Sequence, residues 1–112
     1  MSVRAQVLLW AAQRASAAVL AVCVIVHLIT IIYAVRNGLS AAEILGRTRS
    51  SAGWAAFYTL FVVAVAVHAP IGLRNFLAET FSWRGRGLDI TVMAIALTLA
   101  MLGFRAVYAV FV

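Results

Sequence analysis

Three long apolar runs divide the chain, over residues 15–35, 53–73 and 88–112, each 21 to 25 residues long. At about 1.5 Å per helical residue, each is long enough to cross the roughly 30 Å hydrocarbon layer of a bilayer. The first two runs carry no formal charge, and the third holds only Asp89 near its start and Arg105 near its end. The polar positions inside the runs recur with helical period. In the second, Trp54, Phe61, His68 and Asn75 are spaced by seven, with Tyr58, Val65, Gly72 and Glu79 in the adjacent row. In the first, Ser16, Leu20, Cys23, His27 and Thr30 share a face; in the third, Thr91, Ala94, Thr98, Met101, Arg105 and Tyr108 do. Such faces are expected to meet neighbouring helices, a cofactor or a cavity rather than lipid. The pattern predicts an all-α integral membrane protein with three transmembrane helices, forming one membrane domain over 1–112.

The shorter segments add two elements. Residues 1–14 mix apolar side chains with Arg4 and Arg14, which predicts a short interfacial helix leading into the first span. Ser40 and Glu43 have the spacing of a capping box, which predicts a short helix over 40–46 in the first loop. Residues 82–89, SWRGRGLD, read as a turn with a tryptophan at interface depth. A cleaved signal peptide does not fit the first run, which is too long and has no small-x-small site after it.

Composition agrees with a membrane setting: 66% of the residues are hydrophobic and 11% charged. A soluble domain of this size needs more polar surface. The net charge of +6 does not make a nucleic-acid binder, because most of the nine basic residues, all arginines, bracket the spans, with Arg105 inside the third. Arg4, Arg14, Arg74, Arg84 and Arg86 fall on one side; Arg36, Arg47 and Arg49 fall on the other. The positive-inside rule then puts the N-terminus in the cytoplasm. A single cysteine, Cys23, excludes an intrachain disulfide, and without a Cys-x-x-Cys-His motif any haem is held with no thioether link.

Two histidines occur, His27 and His68, both inside apolar runs. A neutral imidazole in lipid must place both an N–H and a lone pair. Packing through hydrogen bonds, proton relay and metal ligation are the three open roles, and axial ligation of haem iron suits a single imidazole. Gly72, one turn beyond His68, leaves room for a flat macrocycle, and Pro70 withholds a donor from the carbonyl of Ala66, which predicts a bend. Counted from the ends of the apolar runs, the two histidines differ in depth by about 10 Å, too far to share one iron. With no third histidine, each would need a partner ligand from another membrane chain or a second copy.

The stretches LLWAAQRASAAVLAVCVIVHL and VHAPIGLRNFLAE resemble the cytochrome b membrane-anchor subunit of succinate dehydrogenase and fumarate reductase. The likeness covers roughly residues 8–81, and its most specific element is His68-x-x-x-Gly72-x-Arg74 followed by Glu79. The resemblance implies that His68 is an axial haem b ligand near a quinone site, with Gly72 and Arg74 beside it. In the family the first helix opens on His-Arg-x-(Ser/Thr)-Gly; here Gln13-Arg14-Ala15-Ser16-Ala17 keeps the arginine and the hydroxyl. Arg14 would then face a quinone head group or a haem propionate, with Ser16 beside it. Anchors that reduce ubiquinone carry a serine four residues before that arginine, where this chain departs with Trp10, whose indole N–H is the remaining donor. His27 is similar in helix and depth to the distal ligand of two-haem anchors; Arg105 would pair with a distal propionate or snorkel to the outer interface.

The resemblance further implies one or two haems b and a quinone substrate, with flavoprotein and iron–sulfur subunits docked on the cytoplasmic arginines. It also implies a second membrane chain and a bacterial inner membrane. Succinate itself would not touch this chain, whose contribution to the enzyme is the quinone site. Two rivals stand beside it: a haem-free structural anchor with packing histidines, and a small transporter subunit. The second lacks a membrane-embedded carboxylate, since Glu43, Glu79 and Asp89 fall at helix ends or in loops.

Overall fold

The computed structural model describes residues 1–112 and consists of four helices: α1 (Val3–Arg36), α2 (Ala41–Thr48), α3 (Ala52–Phe81) and α4 (Arg86–Phe111). Three of them, α1, α3 and α4, are long and apolar enough to cross a membrane. α1 runs unbroken for 34 residues from a Ser2 cap whose side chain accepts from the Ala5 N–H. The separate interfacial helix expected over residues 1–14 is therefore the first turns of α1. Nothing between Arg4 and Ala15 breaks a helix, since no proline or glycine interrupts the run.

α3 is the central helix, with α1 and α4 packed against it and α2 resting on α4. It passes through the buried Pro70 as one continuous helix. α1 turns its expected face inward: Ser16 and Cys23 are buried, and Leu20, His27 and Thr30 half-buried. α4 does not. Leu88 and Val92 are its buried residues, whereas Ala94, Thr98, Met101, Arg105 and Tyr108 are exposed. The physical reason is that its hydroxyls need no neighbour: Thr91 Oγ1 donates to the Gly87 carbonyl and Thr98 Oγ1 to the Ala94 carbonyl, both at 2.8 Å. The packing face is instead set by close approach at Gly103, where a Cβ would lie 2.5 Å from Val62 Cγ1.

The α1–α3 connection is tied to the end of α4. Gly38 takes a left-handed backbone (φ +60°) just beyond α1, and Ser40 and Glu43 form the expected capping box at α2. Beyond α2, Thr48 Oγ1 donates to the Val110 carbonyl (2.8 Å) and the Ser50 N–H to the Phe111 carbonyl (2.9 Å), satisfying groups that a helix end leaves open. The opposite connection is braced by an ion pair from Arg74 Nε to Asp89 Oδ1 (3.1 Å) in the first turn of α4.

Two predictions follow from this packing. Gly103→Ala should overpack the α3–α4 contact against the stiff Val62 and cost about 1–3 kcal/mol, read as a lower melting temperature in detergent. Gly53→Ala, where nothing lies within 4 Å of the added methyl, is the matched control and should not lower it. Hydrogen bonds from the Ser40 backbone and side chain hold the Glu43 carboxyl below its ordinary pKa. Its support of α2 is thus present above the ordinary value of about 4.3 and lost as pH falls through the lowered one. Carbon-13 titration of Glu43 should give a midpoint below that of a free glutamate.

Candidate functional site

The two histidines sit where α1 and α3 face each other, and each is held by a hydroxyl from the opposite helix. Ser16 Oγ on α1 lies 3.4 Å from His68 Nδ1 on α3, and also donates to the Gln13 carbonyl at 3.1 Å. Tyr58 Oη on α3 lies 3.3 Å from His27 Nδ1 on α1. The His27 ring stands edge-on to Tyr58 and Phe61, with centroids 5.7 and 5.6 Å away. One turn further, Thr30 Oγ1 donates to the His27 carbonyl at 2.6 Å. Neither imidazole has a partner within the chain at Nε2.

This pairing fixes the register of the two antiparallel helices. Ser16 precedes His27 by eleven residues and Tyr58 precedes His68 by ten, so the imidazoles lie about 15 Å apart along the bundle. The separation exceeds the 10 Å expected from the ends of the apolar runs. Interhelical contact, not the start of each run, sets the depth of a side chain. The conclusion that one metal centre cannot be shared by both is strengthened.

Their surroundings differ. His27 and Tyr58 border two adjoining cavities of about 620 and 510 Å³. The larger is walled by Phe61, Val65, Leu102 and Gly103, and the smaller adds Tyr33, Arg47 and Trp54. Arg47 stands over the Tyr33 ring at 5.2 Å. Arg105 borders neither cavity and is exposed on the outer side of α4.

At the end of the bundle nearer His68, a smaller cavity of about 260 Å³ opens among Trp10, Gln13, Arg14, Ile71, Arg74 and Asn75. Arg14 stacks its guanidinium over the Trp10 ring at 4.9 Å, an arrangement that holds a cation in place while leaving its N–H groups to donate. Ser16 does not border this cavity; its hydroxyl is taken up by His68 and Gln13. Of the trio Trp10, Arg14 and Ser16, the first two line the cavity and the third contacts His68. The room left by Gly72 is filled from α1, since a Cβ there would come within 3.2 Å of the Gln13 amide nitrogen. Arg74 borders the cavity while its Nε is engaged by Asp89.

Sequence reasoning missed two residues. Tyr58 was visible only as a member of a face, although a phenol at helical depth opposite a histidine is a natural partner for it. Gln13 was visible only as a departure from a motif, yet its Oε1 is buried with no hydrogen-bond partner. Such a group is costly in a low-dielectric setting and marks a place where the chain's own polar atoms are incomplete.

No curated protein and no solved structure matches the chain. A family model does, over residues 1–105, and its description is the succinate dehydrogenase/fumarate reductase transmembrane subunit. With three apolar helices and nearly its whole length matched, the chain belongs to that family, as an integral membrane subunit of a succinate dehydrogenase or fumarate reductase complex.

Proposed function

We propose that the chain is the haem b-binding anchor of a succinate:quinone oxidoreductase, an electron-transfer subunit working between an iron–sulfur protein and quinone. One observation carries the reading: both membrane-embedded imidazoles have Nδ1 on a hydroxyl and Nε2 without a partner in the chain. A metal bond gives such a nitrogen the partner that lipid cannot, and a second-helix oxygen on Nδ1 is the usual companion of a metal-bound histidine. Haem b, when bound, supplies a one-electron couple that its axial ligands and surroundings tune.

The chain's own residues divide the work. His68 would hold a haem b through its Nε2, and His27, at the edge of the aromatic-walled cavities, would hold a second in a two-haem complex. Any further ligand would come from another membrane chain, since this one has two histidines only. Arg14 and Trp10 bind the quinone head group, donating N–H groups to its carbonyl oxygens in the 260 Å³ cavity. Arg74, already paired with Asp89, holds that end of α3 and α4 in place. Arg105 is left to snorkel at the far interface. The end bearing Arg4, Arg14, Arg84 and Arg86 faces the cytoplasm of a bacterial inner membrane and docks the iron–sulfur and flavoprotein subunits.

The decisive experiment is the haem b to flavin ratio of the purified complex, by pyridine haemochrome and acid-extracted flavin. His68→Ala should lower it by one haem; an unchanged visible spectrum would sink the assignment of His68, and a wild-type ratio of zero would leave a haem-free anchor. Losing a second haem in His27→Ala is expected if the wild-type ratio is two, and a wild-type ratio of one would return His27 to packing. Arg14→Ala should reduce quinone turnover by about 10-fold or more, the worth of a hydrogen bond from a charged group. Electron transfer from succinate to a soluble dye should persist, and equal losses in both assays would point to failed assembly.

A further inference from the structure

The hydroxyl of Ser16 has one proton and two neighbours that can accept it. One is the Gln13 carbonyl at 3.1 Å, which has no proton of its own; the other is His68 Nδ1 at 3.4 Å. If the Ser16 proton goes to the carbonyl, its oxygen can only accept from His68, and Nδ1 must carry the imidazole proton. Nε2 is then the nitrogen with the lone pair. The opposite allocation puts the imidazole proton on Nε2, where the chain provides no acceptor, and leaves the Gln13 carbonyl without its side-chain donor. In a membrane helix the first allocation is the cheaper one.

The other imidazole lacks this constraint. The Tyr58 hydroxyl touches no acceptor besides His27 Nδ1, so its proton is free to be donated there. The chain therefore sets the tautomer of His68 and not that of His27. This difference separates the two histidines although their distances are nearly alike.

We infer that Ser16 is a positioning residue for His68: its hydroxyl, committed to the Gln13 carbonyl, holds the imidazole as the Nδ1–H tautomer and presents Nε2 as the ligating atom. The assignment rests on the haem reading given above, and it takes Ser16 out of the quinone site. An oxygen accepting from Nδ1–H draws that proton away from the ring and makes Nε2 a stronger electron donor. A stronger donor favours ferric over ferrous iron, so Ser16 should lower the reduction potential of the haem that His68 holds.

The test is a redox titration of the haem b absorbance in the purified complex, with the low-spin electron paramagnetic resonance spectrum recorded alongside. Ser16→Ala should raise the midpoint potential and shift the low-spin g values, and Ser16→Thr, which keeps the hydroxyl, should stay close to wild type. If Ser16→Ala assembles without its haem, the comparison moves to Ser16→Thr and Ser16→Val, which are nearly equal in volume. Haem kept in the threonine variant and lost or raised in potential in the valine variant supports the inference. Equal behaviour of that pair, or a Ser16→Ala complex with wild-type potential and spectrum, overturns it. Failure of the haem reading itself is distinguishable, because the wild-type complex would then show no haem to titrate.

Discussion

A polar atom inside a bilayer has no water to fall back on, and the arrangement of this chain follows from that constraint. The α1–α3 interface is built on it. Two imidazoles and two hydroxyls are exchanged between the helices, Ser16 to His68 in one direction and Tyr58 to His27 in the other. Each pair satisfies one nitrogen and leaves the second without a partner. The four groups also lock the antiparallel register, because sliding either helix by one turn, about 5.4 Å, would break both pairs at once.

The remaining contacts are of a different kind. α3 and α4 meet through shape, with Gly103 admitting Val62, and through the Arg74–Asp89 pair at the end of the bundle. α2 contributes no buried residue. It is held by its own cap and by donation from Thr48 and Ser50 to the last carbonyls of α4. The chain thus separates a chemically specific helix pair from a sterically specific one. α3 belongs to both.

Much of this was legible from residue order alone. The three spans, the Ser40–Glu43 box and the inward face of α1 follow from length, spacing and periodicity, which are local properties. The pairing of Ser16 with His68 was not legible, because it depends on how two helices fifty residues apart are registered. The resemblance puts Ser16 beside a quinone, and the structure adds its contact with His68. The expected face of α4 is not the one that meets α3, for a related reason. Helical periodicity reports which residues lie together, but a threonine that bonds its own helix carries no information about where a neighbour is. Arg105 and Tyr108 followed that face outward. The interfacial helix over residues 1–14 runs on into the first span, because an α-helix near an interface carries Arg4 and Arg14 without interruption.

The first half of α4, from Thr91 to Thr98, is electrically quiet. Both threonines have returned their protons to carbonyls of the turn before, so neither hydroxyl waits for a partner. Exchanging an acyl chain for another helix along this half alters only the fit of surfaces, at tenths of a kcal/mol per atomic contact. This stretch can therefore trade neighbours during assembly without rewiring a hydrogen bond, while α1 cannot.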